Sequence, residues 1–312
     1  MTSFKRILLA DNCPDFFFTE LKRLGFEWDY QEEISNDQLR LLPNEYDAIL
    51  IKSALLLDRK FFEHFSKIKL VLRPGSGLDN VDTSYCQAHN IEIINSPNGN
   101  SNAVGEHTLG LLLMMVNHLN RAVQEVKQGE WIREANRGLE IEQLSIGVIG
   151  VGNAGSAFCQ KLSGFGSKLL PHDKYKPRID SIGMNSCDLE LLYKEADVVS
   201  LHLPLNEETH FYADDEFFGS FQKPIFFINC SRGKVLDTSA LLKAVNAGRV
   251  VQAALDVLEV EPLANASKDY KKLVSGLLAT DKVLITPHIA GWTIEAKNKM
   301  FQILLDKYEG QV

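Results

Sequence analysis

The stretch LSIGVIGVGNAGSAFCQKLSGFGSKLLPHD, Leu144–Asp173, decides the fold. Ser145–Ile149 reads as a buried strand, and Gly150, Gly152 and Gly155 follow it in G-x-G-x-x-G spacing. The pattern then predicts a helix over Ala157–Phe165, ending at Gly166, and a second strand at Lys168–Leu170. Asp173 stands 18 residues past Gly155. Each part has a physical task. Gly150 allows a tight turn, Gly152 lets backbone approach a pyrophosphate, and Gly155 lets helix and sheet pack closely. The helix N-terminus offers N–H groups and partial positive charge to phosphates. An acid at the second strand's end accepts from ribose hydroxyls and repels a 2′-phosphate. With strand, helix and acid in register, the glycines predict a dinucleotide site, with NAD the expected cofactor.

A domain's length of chain precedes this fingerprint. A chain of 312 residues is long enough for about two domains at roughly 100–200 residues each. A substrate domain is therefore expected first. The hydrophobic fraction of 45% and charged fraction of 24% are those of an ordinary globular protein. A net charge of −8 argues against nucleic acid as a partner. Cys13, Cys86, Cys159, Cys187 and Cys230 show neither C-x-x-C nor metal spacing. No metal is expected, and reduced thiols fit the cytoplasm. Met1–Ala10 reads as a strand followed by acids, not a secretory leader. Leu109–Val116 is too short an apolar run to span a bilayer, so no membrane partner is expected.

Strand and helix signals alternate through the first half. Strands are expected at Lys5–Ala10, Tyr46–Lys52, Leu70–Arg73 and Ile91–Asn95, and helices at Phe16–Leu24, Asp58–Phe65 and Thr83–His89. This pitch implies a parallel sheet with helices on both faces. Pro97–Asn100 reads as a hinge, followed by one long helix over Asn102–Gln128. After Asp173, strands are expected at Val198–Leu203, Ile225–Asn229, Gln252–Val257 and Val283–Thr286, and helices at Ser239–Ala247 and Thr293–Tyr308. Ala264–Ala279 reads as a surface loop with a helical turn.

Three strand-end segments carry chemistry: Asn229–Gly233, Asp256–Pro262 and Thr286–His288. In open α/β sheets ligands bind beyond the carboxyl ends of strands. An Arg, a Glu and a His placed there can converge. Arg offers a planar fork to a carboxylate, and His gives or takes a hydroxyl proton near neutrality. A carboxylate beside it favours the imidazolium. Beside a nicotinamide, that set suits reversible oxidation of a 2-hydroxy acid. Glu259 and Glu261 both stand as candidates for the carboxylate, while His107, His118, His202 and His210 read as structural.

The chain resembles the D-isomer-specific 2-hydroxyacid dehydrogenases along nearly its whole length. The resemblance rests on RPGSGLDNVD at 73–82, the GVGNAG turn with Asp173, NCSRG at 229–233, ALDVLEVEP at 254–262 and TPHIAG at 286–291. It implies an α/β fold of two Rossmann- and flavodoxin-like parallel-sheet domains. The NAD-binding domain, 99–288, is inserted in the substrate-binding domain, 1–98 and 289–312. The resemblance makes Arg232 the carboxylate ligand, His288 the acid–base and Glu261 its partner. It gives the substrate carboxylate to the backbone of Gly75, Ser76 and Gly77 as well. Asn153, Ala154, Leu203, Cys230, Ser231, Asp256, Ala290, Gly291 and Ser76 join Gly150, Gly152, Gly155 and Asp173 around NAD.

Pro97–Ser101 looks most like the phosphoglycerate dehydrogenases of serine biosynthesis, with Lys52, Arg73 and Arg133 as cations for a phosphate. The expected partners are a small 2-hydroxy or 2-oxo acid and, through the Asn102–Gln128 helix, a second copy in a homodimer. Only the short catalytic form is expected, since the chain stops at Val312. The sequence departs from the family at Asn153, where Arg is usual, at His172, and at Lys52, where Arg is expected. Trp292 is bulky, and the gap from Glu261 to His288 is long. A glyoxylate or hydroxypyruvate reductase is the alternative enzyme, and an NAD-sensing corepressor the alternative class.

Overall fold

Two strands joined through a helix pair in parallel, because the crossover carries the chain back to the edge from which it started. The computed structural model, which describes residues 5–51 and 53–310, applies that rule twice. The chain divides into two compact units, Met1–Asn100 with Trp292–Val312, and Ser101–Gly291. These limits differ from the expected ones by two to three residues. Gly99 stays with the first unit because it packs on Met300, where an added Cβ would meet Cγ at 2.4 Å. Ile289 and Ala290 stay with the second because both backbone N–H groups bind Asp256.

In the first unit β1 (Arg6–Ala10), β2 (Glu27–Tyr30), β3 (Ala48–Ile51), β4 (Leu70–Arg73) and β5 (Glu92–Asn95) pair in the order β2-β1-β3-β4-β5, all parallel. That is the flavodoxin-like order. Helices α1 (Asp15–Arg23), α2 (Asn36–Leu39), α3 (Arg59–His64) and α4 (Thr83–Ala88) connect them. Asp58 and Asp82 cap α3 and α4 by accepting from Phe61 N and Tyr85 N. Both sheet faces are covered. Phe61, Phe62 and Phe65 pack over Ile49 and Val71 on one, and Phe17, Leu21 and Phe26 lie on the other.

The second unit opens with α5 (Ser101–Val116) and α6 (Leu119–Lys127), not the single helix the sequence suggested. The break has a cause. Leu139 N donates to Val116 O at 2.9 Å, taking the carbonyl that a continuing helix would use, and His118 turns into the left-handed region at φ 52°. Then come β6 (Ser145–Ile149), α7 (Asn153–Leu162), β7 (Lys168–His172), the two-residue pair β8 (Arg178–Ile179) and β9 (Met184–Asn185), and α8 (Leu189–Glu195). The remainder is β10 (Val198–Leu201), α9 (Asp215–Ser220), β11 (Ile225–Asn229), α10 (Thr238–Asn246), β12 (Val250–Leu255), α11 (Lys268–Leu278) and β13 (Val283–Ile285). The sheet runs β13-β12-β11-β10-β6-β7, again parallel throughout. The expected loop at 264–279 is largely α11, capped by Ser267 and anchored by buried Val274 and Leu277. After this unit the chain returns to the first as α12 (Ile294–Glu309), whose Phe301 meets Phe17 edge-on at 4.9 Å.

Candidate active site

β6 hands over to α7 through the glycine turn, next to β10, where the strand order reverses and nucleotides sit in such sheets. Gly150 holds φ +87°, and a Cβ there would meet His202 O at 2.5 Å. A Cβ on Gly155 would lie 2.1 Å from Gly150 O, so only glycine permits this closeness of helix and turn. Beside Gly152, in contrast, open space lies where a Cβ would be, and Gly152 is the N-cap of α7 without a capping side chain. An anion such as a pyrophosphate suits that end, next to Asn153 and Ala154.

Asp173 is oriented at the same rim. Its Oδ2 accepts from Val151 N at 3.0 Å and its Oδ1 from Tyr175 N at 3.1 Å, leaving further lone pairs on both oxygens. Its own N–H donates to Ser186 Oγ at 2.9 Å. Lys174 beside it is paired with Glu208. Leu203 lies against Gly150. Burial holds the His202 ring down to about 4, so it is neutral, and pushes the Cys230 thiol up to about 12. An open cap, a tight turn and a tethered acid fit a dinucleotide.

The three strand-end segments emerge from neighbouring strands, β11, β12 and β13. Asn229 is fully buried and shapes the first. Its Oδ1 accepts from Ser231 N at 3.0 Å and Ser231 Oγ at 2.7 Å, and its Nδ2 donates to Arg232 O at 3.1 Å. Arg232 Nη1 donates to Ser231 O at 2.8 Å. The second segment lies directly against it, since a Cβ on Gly233 would fall 1.8 Å from Leu258 O.

The two glutamates separate here. Glu259 Oε1 accepts from Thr238 N at 2.8 Å, completing the first turn of α10. Glu261 accepts from Leu258 N at 2.7 Å on Oε1, and its Oε2 lies 2.6 Å from His288 Nδ1. The hydrogen bond to Glu261 raises the His288 pKa above its ordinary value. Burial opposes that rise, the charges of Glu261 and Asp256 add to it, and the Arg232 guanidinium counters it. All three strand-end groups thus act in one field. Tyr270, from α11, supports the second segment by accepting from Glu259 N at 3.0 Å.

Asp256 is buried, yet its carboxylate accepts from Thr286 Oγ1 at 2.5 Å, Ile289 N at 2.9 Å and Ala290 N at 2.7 Å. Burial alone would raise its pKa. The donors, with His107 nearby, outweigh it and hold the group below the usual carboxylate range. Asn229 and Tyr270 were not singled out from sequence. Asn229 stood inside a quoted motif, whereas nothing local marks Tyr270.

In the first unit Gly75 N donates to Ser96 Oγ at 2.8 Å, and Ser96 N to Gly75 O at 3.0 Å. The N–H expected to bind substrate is therefore engaged within the fold at Gly75, and Ser76 and Gly77 remain from that set. Arg73 folds against this loop, with Nη1 near Pro74 O. Lys52 lies outside the described residues, and Arg133 is exposed at the start of a short 3-10 turn.

The NAD-binding domain model of the D-isomer-specific 2-hydroxyacid dehydrogenases matches residues 109–290. The hydroxypyruvate reductase of Thermotoga maritima is 33% identical over 276 residues, 88% of either chain. The D-3-phosphoglycerate dehydrogenase of Bacillus subtilis is 33% identical over 294 residues, 94% of this chain and 54% of that one. The chain spans about half the length of the phosphoglycerate dehydrogenases it matches. A D-lactate dehydrogenase structure from Aquifex aeolicus, complexed with NAD and lactic acid, is 27% identical, with a TM-score of 0.85 over 98% of this chain and 95% of that one. The matched residues take in the glycine turn and every strand-end segment described above, and the chain therefore belongs to the D-isomer-specific 2-hydroxyacid dehydrogenase family as an NAD-dependent oxidoreductase.

Proposed function

We propose that His288 is the acid–base of this oxidoreductase, with Glu261 as its partner and Arg232 as the ligand of the substrate carboxylate. The observation that carries this is the 2.6 Å contact of Glu261 with His288 Nδ1, which leaves Nε2 as the ring nitrogen able to meet substrate. Bound NAD supplies the hydride acceptor, and as NADH the donor. Reduction of a 2-oxo acid also needs a proton at the carbonyl oxygen. Protonated His288 delivers it from Nε2, and Glu261 stabilises the charged ring beforehand. Arg232 holds the carboxylate next to that carbonyl. NAD is proposed to rest on Gly150–Gly155, Asp173 and Leu203, with Cys230, Ser231, Asp256, Ala290 and Gly291 at its nicotinamide end. Ser76 and Gly77 are proposed as separate backbone donors.

The proposed substrate pair is 3-phosphoglycerate and 3-phosphohydroxypyruvate, supported by relatives of that activity and by Lys52, Arg73 and Arg133 as cations. Hydrogen bonds to a charged group are worth about 1.5–3 kcal/mol each, so two of them separate phosphorylated from plain acid by roughly a hundredfold in kcat/KM. A second reading, hydroxypyruvate reductase, is favoured by the Thermotoga maritima relative, which matches at equal length. Initial rates at 340 nm with NADH and both acids decide between them. Equal efficiencies select the reductase, and Lys52→Ala is expected to weaken only the phosphorylated acid.

A homodimer is also proposed. No residue of α6 is buried, Leu119, Val123 and Val126 form an exposed apolar face, and Trp131 is 80% exposed nearby. The cytoplasm is the proposed location, supported by cysteines that are all free. No helix among the described residues is long and apolar enough to cross a membrane.

A further inference from the structure

His288 has a disfavoured backbone. It is not glycine, yet it sits at φ 58°, and its N–H reaches back only two residues, to Thr286 O at 3.0 Å. Such a conformation persists only where its surroundings over-determine it. Asp256 grips both flanks, through the Thr286 hydroxyl on one side and the Ile289 and Ala290 N–H groups on the other.

The Thr286 hydroxyl has one proton and so can donate to one partner. An ionised carboxylate only accepts, so that proton goes to Asp256, and the hydroxyl oxygen is left to accept from its other neighbour. That neighbour is His107 on α5, whose Nε2 lies 3.2 Å from Thr286 Oγ1 and 3.5 Å from Asp256 Oδ1. With Nε2 carrying hydrogen, the order is His107 to Thr286 to Asp256, and every member is satisfied. Without that donor, the hydroxyl and the carboxylate both lose the contact that braces them from α5, and the Asp256 grip on the N-terminal flank loosens.

We infer that His107 is a positioning residue that holds His288 in its left-handed conformation through Thr286 and Asp256. It touches neither reacting group. The inference rests on the acid–base reading of His288, and the test separates the two.

Three variants are compared with the wild type. H107F keeps a ring and removes the donor, H107Q restores an N–H at similar reach, and H288A tests the acid–base reading alone. Turnover with NADH and hydroxypyruvate is measured beside amide hydrogen exchange at Ile289 and Ala290. H107F is expected to lower kcat by about tenfold to a hundredfold, the cost of a small misplacement, with both amides exchanging faster. H107Q is expected to recover most of both. If H107F does not fold, T286V removes the hydroxyl and carries the same expectation. Unchanged exchange in H107F overturns the inference. So does faster exchange with unchanged kcat, or an H107Q as impaired as H107F. If H288A turns over normally, the acid–base reading falls and takes the inference with it; that failure shows in H288A alone, whatever exchange does in H107F.

Discussion

Glu261 uses one carboxylate oxygen on Leu258 N and the other on His288, so its geometry is fixed before substrate arrives. That preorganisation sets the pH behaviour. With His288 as the proposed acid, reduction needs its ring protonated, and Glu261 raises its pKa. In Glu261→Gln the alkaline limb of the kcat/KM profile for reduction is expected to move to lower pH, read in rate–pH curves. The same pair affects stability. Because the folded-state pKa lies above the ordinary 6.5, the pair's contribution is complete below about pH 6.5 and is lost as pH rises through the raised value. Denaturant melts across that range are expected to show a smaller loss in Glu261→Gln. His288→Ala is expected to cut turnover by roughly 10²–10⁴-fold and to leave NADH affinity, measured by fluorescence titration, intact. At the other end of the site, Asp173 predicts a preference for NAD over NADP of at least about tenfold, the effect of roughly 1.4 kcal/mol. Asp173→Ala is expected to narrow it, in kcat/KM for the two cofactors.

Elements differ in how plainly their sequences announce them. Ser145–Ile149 and Ile225–Asn229 are legible to the residue, because each is an apolar run buried on both faces and bounded by turn residues. β2 is not, because Glu27 and Asp29 occupy alternate positions of an edge strand. α8 and α9, at seven and six residues, are too short for a helical period to stand out. α11 hides behind Lys268, Asp269, Lys271 and Lys272, and only Val274 and Leu277 are buried. At the site, the sequence shows which side chains can react, since those lie in strand-end motifs. It does not show what holds them. Tyr270, Ser96 and His107 act across 11, 21 and 179 residues, and such pairings exist only once the sheets have formed. One of these close packings gives a sharp expectation. In Gly233→Ala the new Cβ meets the backbone of Leu258, which cannot rotate away. Overpacking of this kind costs about 1–3 kcal/mol, to be seen as a lowered Tm together with lowered kcat.

For the whole molecule, the proposed homodimer rests on the exposed face of α6. Leu119, Val123 and Val126 fall on one side of the helix, while Arg121 and Glu125 engage the Ala135–Asn136 segment on another. Light scattering at micromolar concentration is expected to give a dimer mass for the wild type and a monomer mass for Val123→Glu. A wild-type monomer contradicts the assembly without touching the chemistry.

The ladder between β12 and β13 has one more consequence. Ala253, Ala254 and Leu255 are hydrogen-bonded in register with Val283, Leu284 and Ile285, so the exits of Asp256 and Thr286 are set by the sheet, not by the chain that joins them. Glu261 lies on that connection, and Tyr270 of α11 ties its start back to Glu259 N, so only the stretch past α11 is uncoupled in length from the spacing of Glu261 and His288. That last stretch behaves as slack cable leading up to a fixed post, and evolution or an engineer can lengthen it, at exposed Asp281 and Lys282 for instance, without retuning the site.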